Sequence, residues 1–311
     1  MYYPLLRARQ FELIALRELA IEGVTQELII PILEPVKKSQ NNLILAHRVF
    51  EEYGQNAYLI VNPIVGEITG DNNTCLDLLN NLGEETFGPA FHYRDNSKYI
   101  FDSIKKYKLN NCLLLCQNDL NAEDKEFREL ASSKAIALIN LEDPGRNRAL
   151  HRFIGGLKKT YIRLDDLFEK QRKNSVFLNI SAHRFSEEHL YYDNDGFSGF
   201  SDYTVLPSEY VDGGITPRAV VIHLTYLNGE NQIWIRHFTS DTNDTISNVQ
   251  GKFAEAAAKA VTFCRENNLT NSAIEELESY YDSERYPGLG TIKKLSIKNH
   301  LLVVAQYLRN R

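Results

Sequence analysis

Eight short aliphatic runs along the chain each end in a polar or charged residue. Helix-length segments separate most of these runs, a spacing that is typical of parallel strands joined by crossover helices. Ligands bind at the carboxyl ends of the strands in such folds, so a site is expected where the runs end. The runs are PILEPV, YLIVNP, CLLLCQND, AIALINLED, TYIRLDD, VFLNISAHR, SDYTVLPSEY and AVVIHLTY.

Alternation of apolar and polar residues in the later runs favours a closed barrel over an open sheet, because open sheets bury both faces and consist of continuous aliphatic runs. The sequence therefore predicts an α/β fold, a (β/α)8 TIM-barrel-like domain. Asn228 and Gly229 indicate a hairpin, which predicts an irregular closure with an extra antiparallel hairpin near the C-terminus. Centring a two-residue turn there places His223 and Arg236 on one face and His237 on the other.

We expect residues 1–311 to form a single barrel-like domain, because no Gly/Ser/Pro-rich linker interrupts the rhythm of runs and helices. Within it, the pattern predicts an N-terminal helix over residues 1–20. Strand and helix repeats follow over residues 29–245, and a helical segment occupies residues 246–311.

The charge of the chain limits its partners and its location. A net charge of -6 argues against non-specific nucleic-acid binding, although it leaves room for a local basic pocket. Charged residues interrupt the apolar positions of the first twenty residues, and no apolar stretch reaches the ~20 residues that a bilayer crossing needs. We therefore expect a cytoplasmic protein without membrane contact.

Polar residues at the strand ends are the candidates for chemistry. Alternation places Glu34 on the face of Ile32, and Asn62 on the face of Ile60. A carboxylate pair with a histidine could transfer protons while an arginine holds an anionic substrate. The alternative is a hydrogen-bonded polar plug that only satisfies buried groups. The proposed catalytic residues are Glu34, Asp165 and His223, with Arg163 and Arg236 beside them as ligand-binding residues.

Metal binding has candidate ligands but no signature, because neither H-E-x-x-H nor H-x-H occurs. We therefore assign no metal ligands. Carboxylates from separate strands could nevertheless assemble to hold Mg²⁺ or Mn²⁺. Those carboxylates are Glu34, Asp119, Glu142, Asp165 and Asp202.

The segment YPGLGTIKKLSIKNH combines glycines, a hydroxyl and lysines, which can form a backbone nest for phosphate. It lacks the spacing of a P-loop. A loop leading into a terminal helix with a basic face explains the same residues and is the preferred interpretation.

Several segments together resemble the phage-type "beta protein" family of bacteria and phages. The resemblance rests on the opening YYPLLRARQFELIALREL, on IIPILEPVK, LIVNPIVGE and the GFSDY loop, and on VVIHLTY with IRHF and PGLGTIKKLSIKNH, in that order over nearly the whole chain. It implies a barrel-like α/β fold and carriage on prophages, mobile elements or defence gene clusters. The positions that it makes candidate site residues are Glu34, Asn62, Asp202, Tyr203, His223, His237 and His300.

The leading hypothesis is thus a protein of a phage-related or antiphage defence module whose polar barrel mouth recognises an anionic ligand, such as a nucleotide, a nucleic-acid end or a peptide. The alternative is a phosphodiesterase-type hydrolase that uses carboxylates and histidine at the same mouth. A third hypothesis is a recognition or scaffold subunit for a partner protein encoded nearby. The sequence does not decide whether the protein is an enzyme.

Overall fold

The computed structural model describes residues 1–83, 85–213 and 216–311. Eight parallel strands that alternate with helices form a nearly closed barrel, which confirms the predicted irregular (β/α)8 fold. A separate antiparallel sheet has three strands in the order β10-β11-β8. The barrel strands, in order around the sheet, are β1 (Leu5–Leu6), β2 (Ile32–Leu33), β3 (Ala57–Ile60), β4 (Phe87–His92), β5 (Cys112–Cys116), β6 (Ile136–Glu142), β7 (Thr160–Asp165) and β9 (Gly199–Asp202). The three others are β8 (Ala182–Ser186), β10 (Val221–Leu227) and β11 (Ile233–Thr239).

Helices follow most barrel strands. The last three helices of the chain cover the antiparallel sheet and the side of the barrel. Ile222 and Leu224 of β10 pack with α8 and α9, whereas Ile233 and Ile235 of β11 belong to the core of the barrel and α10. The sheet is therefore held between two layers of apolar side chains. The helices are α1 (Gln10–Glu22), α2 (Asn41–Tyr53), α3 (Asn72–Leu82), α4 (Ser97–Tyr107), α5 (Lys125–Ser132), α6 (Arg148–Gly155), α7 (Glu188–Tyr191), α8 (Val249–Glu266), α9 (Ser272–Asp282) and α10 (Leu289–Asn310).

Two of the eight predicted strand runs are not barrel strands. VFLNISAHR forms a 3₁₀ helix over Asn174–Leu178 and then β8, and AVVIHLTY forms β10; both strands belong to the antiparallel sheet. Their barrel places are taken by β1, which lies inside the predicted N-terminal helix of residues 1–20, and by β4. The opening helix therefore begins only at Gln10.

The predicted hairpin is present, but its register differs by three residues from the prediction. Leu227 pairs with Ile233, so the connection has five residues rather than two. His223 consequently pairs with His237 and Leu224 with Arg236. Because a slip by an odd number of residues moves a whole strand to the other face, His237 shares its face with His223 and Arg236 does not.

Successive residues of each barrel strand point alternately into the lumen and toward the outer layer under the helices. One apolar cluster contains the side chains that point inward, and a second contains the intervening residues packed beneath the helices. Aliphatic side chains thus fill the lower lumen, as expected for a small barrel. Inward-pointing residues include Leu5, Ile32, Ile60, Ala90, Leu113, Leu115, Leu138, Ile162 and Leu164.

The barrel closes where the first residues of the chain meet β9. Tyr2 forms parallel bridges with both Ile29 and Phe200, and its ring stacks on Phe200 with 4.9 Å between the ring centroids. The Tyr2 hydroxyl donates to Oδ1 of Asp202 at 2.5 Å and lies 3.1 Å from Nε2 of His300 on α10. This buried network fixes the closing seam to the C-terminal helix.

We expect Tyr2→Phe to lower the free energy of unfolding by roughly 1–3 kcal/mol, because it removes the hydroxyl donor from a buried carboxylate that the backbone N–H of Thr204 alone does not satisfy. Denaturant unfolding measures the effect. Tyr191→Phe is the control, since Tyr191 is 51% exposed. Equal stability of the two variants would contradict a role for the hydroxyl in closing the barrel.

Candidate functional site

Seven polar side chains surround the upper end of the lumen, and we call them the mouth ring. Six of them follow a barrel strand at an even spacing from its inward-pointing apolar residues, so they also point inward. Glu34 lies two residues after Ile32, and His92 lies two residues after Ala90. The seventh, Tyr203, packs directly against the apolar lumen cluster. The mouth ring consists of Arg7, Glu34, Asn62, His92, Glu142, Asp166 and Tyr203.

Glu34 is the most connected member of the mouth ring. Its side chain is fully buried, and Arg7 donates to Oε2. Oε1 accepts the backbone N–H of Ile64 at 2.9 Å and lies 3.2 Å from Nε2 of His92. Burial acts to raise the pKa of Glu34, but the hydrogen bond and charge of His92, with the charge of Arg7, hold it below its ordinary value. Glu34 is therefore a buried anion that positions His92 and Arg7.

His92 is held in place from two sides. The Asn62 side chain forms a pair of 2.8 Å hydrogen bonds with the backbone N–H and C=O of His92, while Glu34 contacts Nε2. Within the described residues, Nδ1 has no hydrogen-bond partner, and the side chain is 12% exposed. A histidine oriented by a carboxylate and open at its other nitrogen is the usual arrangement of a general base.

Glu142 has the opposite electrostatic environment from Glu34. Burial raises its pKa, and the nearby carboxylates of Asp166, Asp143 and Asp119 raise it further, against a lowering contribution from His92. The mouth therefore holds one carboxyl group whose pKa is lowered and another whose pKa is raised. Such a divergence of pKa values is how enzymes assign acid and base roles to like residues.

Asn140 lies in the lumen one inward-facing position below Glu142. It is fully buried, and neither its amide nitrogen nor its amide oxygen has a hydrogen-bond partner among the described residues. Leaving such a group unpaired costs roughly 1–3 kcal/mol, so Asn140 is an uncompensated polar group in the otherwise aliphatic lumen.

Arg163 and Asp165 lie outside the lumen. Ile162 and Leu164 are the residues of β7 that point inward, so the two charged residues project toward the outer layer. Arg163 binds Asp165 through Nε at 2.6 Å and Glu188 of α7 through NH1 at 2.9 Å. Burial raises the pKa of Glu188 to about 7. The structure thus places this ion-pair cluster apart from the mouth ring.

Asp202 and His300 also lie outside the lumen, in the closing seam. Asp202 accepts from the Tyr2 hydroxyl and from the backbone N–H of Thr204 at 2.7 Å, and His300 is fully buried with Nδ1 3.2 Å from the Thr225 hydroxyl. These contacts join the barrel, the antiparallel sheet and α10. The polar-plug interpretation describes this pair better than a ligand site does.

His223 and His237 face each other in the antiparallel sheet, with 2.7 Å between their Nδ1 atoms. Phe168 and Phe177 enclose them, and the Phe177 ring centroid lies 4.3 Å from that of His237. Burial lowers the pKa of His223 to about 3 and that of His237 to about 4. Arg236, on the other face of β11, stacks on Phe263 with its guanidinium carbon 4.5 Å from the ring centroid.

The lysines of the glycine-containing segment do not form a free phosphate nest. Lys293 pairs with the buried carboxylate of Glu12 at 2.8 Å, and Lys294 and Lys298 both pair with Glu18 at 2.9 Å. The segment from Leu289 is helical, as the preferred interpretation predicts. Its basic face is turned toward the acidic residues of α1.

Of the ten predicted site residues, Glu34, Asn62 and Tyr203 belong to the mouth ring. Arg7 and His92 were missed as site residues, because neither follows a recognisable aliphatic run. The sequence indicates them only through strand alternation, which puts Arg7 on the same face as Leu5 and His92 on the same face as Ala90. In the part of the chain that the structure describes, no three His, Cys, Asp or Glu side chains converge closely enough to hold a metal ion.

Comparison with known proteins gives no family and no relative, since no family model matches the chain and no curated protein matches it. Among the described residues, no helix combines the length and apolarity that a membrane crossing requires. The resemblance to the "beta protein" family stays a prediction.

The histidine pair predicts a pH-dependent stability. Because both folded-state pKa values lie below the ordinary value of about 6.5, the unfolded chain binds more protons as the pH falls. The free energy of unfolding should be highest above about pH 6.5 and should drop by an amount on the order of 2 kcal/mol between pH 7 and pH 5. Urea unfolding at each pH measures it.

The double variant His223→Gln, His237→Gln should have a shallower pH dependence than the natural chain, because neither glutamine takes up a proton. His151→Gln, on α6, is the matched control and should keep the natural slope. If the free energy of unfolding of the double variant fell with pH as steeply as that of the natural chain, these imidazoles would not cause the loss of stability in acid.

Proposed function

We propose that the protein is a hydrolase whose acid–base site is the mouth ring, with a phosphodiester as the substrate class. The observation that supports this proposal best is the opposite displacement of the pKa values of Glu34 and Glu142 around His92. Neither a structural ion pair nor a polar plug requires two carboxyl groups of one ring to have pKa values displaced in opposite directions.

The roles follow from the contacts of each residue. His92, oriented by Glu34, takes a proton from water through Nδ1 as the water oxygen attacks phosphorus. Glu142, in its protonated form, gives a proton to the leaving oxygen as the ester bond breaks. Arg7 has N–H groups beyond those that bind Glu34 and the Ser208 carbonyl, and these can hold a non-bridging oxygen.

The orphaned amide of Asn140 supports a polar substrate that reaches into the lumen below Glu142. Tyr203 lies beside Arg7 in the ring, and the guanidinium carbon of Arg7 lies 5.5 Å from its ring centroid. Burial raises the pKa of the Tyr203 hydroxyl, and the nearby Glu142 carboxylate raises it further. A neutral Tyr203 hydroxyl can therefore donate a hydrogen bond to the substrate.

A second candidate function is recognition of an anionic ligand without turnover, and Arg7 favours it because it is a partly exposed cation at the mouth. Under this proposal Glu34 only fixes the position of Arg7. The phage-related or antiphage setting and a partner protein encoded nearby stay predictions from the family resemblance alone.

The test is hydrolysis of bis(p-nitrophenyl) phosphate by the purified protein, with and without Mg²⁺ or Mn²⁺. We expect turnover, and we expect His92→Ala and Glu142→Gln each to reduce kcat about 10²–10⁴-fold, the usual contribution of a general acid or base. Glu188→Gln is the matched control, since it removes a carboxyl group with a raised pKa outside the lumen. Turnover that survives in both mouth variants would contradict the proposal.

The same variants separate catalysis from recognition. Under the recognition alternative no turnover occurs, and Arg7→Gln weakens the binding of a phosphodiester analogue while His92→Ala does not. Isothermal titration with dimethyl phosphate measures that difference.

A further inference from the structure

One cleft on the surface of the described chain is lined by cations, and we call it the basic cleft. It has a volume of about 590 Å³ and lies between the 3₁₀ helix Asn174–Leu178, the segment before β10 and the segment before α8. That volume is within the range of small-molecule sites, roughly 300–1,000 Å³. Its lining side chains are Arg172, Lys173, Asn174, Ser175, Thr216, Pro217, Arg218, Ala219, Asn243 and Ile246.

Three cations line the basic cleft, and no carboxylate lies among the lining residues. Within the described residues, Arg172, Lys173 and Arg218 have neither an ion pair nor a side-chain hydrogen bond. All three are exposed, so none is occupied in holding the fold together. Three unpaired like charges around one cavity repel one another, and a bound anion removes that repulsion.

A cleft of the same size elsewhere shows what a compensated arrangement looks like. That cleft, also about 590 Å³, is lined by Arg9, Lys37 and Lys293. Asp212 lies 2.9 Å from Lys37 and 3.8 Å from Arg9, while Glu12 lies 2.8 Å from Lys293. Its cations are thus already neutralised, and the basic cleft differs in having no such partners.

The neutral lining of the basic cleft suits phosphate oxygens. Hydroxyl groups come from Ser175 and Thr216, and side-chain amides come from Asn174 and Asn243. Asn174 donates to the Ala219 carbonyl at 2.9 Å, which fixes the 3₁₀ helix against the segment before β10. The two walls that carry the cations are thereby held in one arrangement.

We infer that the basic cleft binds the di- or triphosphate group of a small molecule. Three cations match the two to four negative charges of such a group, whereas one carboxylate would leave most of them unpaired. None of the lining residues has an aromatic ring on which bases could stack, and the net charge of -6 opposes a long polyanion. The inference does not depend on the proposed activity of the mouth ring.

The test is isothermal titration of the full chain with tripolyphosphate, pyrophosphate and inorganic phosphate at low ionic strength. We expect affinity to fall in that order, because each step removes charge that the cleft neutralises. Each of Arg172→Gln, Lys173→Gln and Arg218→Gln should weaken tripolyphosphate binding about tenfold, the effect of losing one charge-assisted hydrogen bond.

Lys105→Gln is the matched control, since it removes an exposed cation on α4 and should leave the affinity unchanged. Thermal unfolding of each variant verifies that the fold is intact. Absence of tripolyphosphate binding at millimolar concentration, or equal affinity in the natural chain and the three cleft variants, would overturn the inference. Tighter binding of a single-stranded oligonucleotide than of tripolyphosphate, lost in the same variants, would also overturn it by making the cleft a nucleic-acid surface.

Discussion

Closure of the barrel at Tyr2 is the constraint on which the rest of the structure depends. The backbone there joins β9 to the start of the chain, with Tyr3 donating to the Phe200 carbonyl at 2.8 Å. This seam sets the spacing between Arg7, Glu34 and Tyr203, which lie on three neighbouring strand ends. A barrel that opened at this point would separate Arg7, which follows β1, from Tyr203, which follows β9.

The mouth ring combines rigid and adjustable groups. Both oxygens of Glu34 are occupied, so this residue acts through the groups that it positions rather than on a substrate. In the proposed mechanism His92 and Glu142 transfer the protons: among the described residues Nδ1 of His92 has no hydrogen-bond partner, and the pKa of Glu142 lies above its ordinary value. Rigid support beneath reactive groups is the usual organisation of a catalytic site.

Strand alternation was sufficient to predict the fold class and part of the mouth. It placed Glu34 and Asn62 on the faces of their aliphatic neighbours, and the structure has the same alternation. It did not locate Arg163 and Asp165, because Ile162 and Leu164, the alternate residues of β7, are the ones that fill the lumen. Parity alone does not distinguish the inside of a barrel from its outside.

The structural features that the sequence patterns did not predict were missed for physical reasons. β1 has only two residues and β4 contains Gly88 and Pro89, so neither produces an aliphatic run. The positions of His223 and His237 depended on the length of the hairpin connection, which the pair Asn228 and Gly229 does not fix. Pairing between distant segments, as between Tyr2 and His300, leaves no local pattern in a sequence.

The contact between Tyr2 and His300 spans 298 residues, and this separation has a consequence for synthesis of the protein. At translation rates of about 5–20 residues per second, the hydroxyl of Tyr2 waits roughly 15 to 60 seconds before its partner helix exists. The edge of β1 also lacks its partner strand until Asp202 of β9 has been made, 200 residues after Tyr2, so its backbone groups are available for wrong pairing for roughly 10 to 40 seconds. Chaperone protection of the ribosome-bound chain would therefore matter most for its first strand.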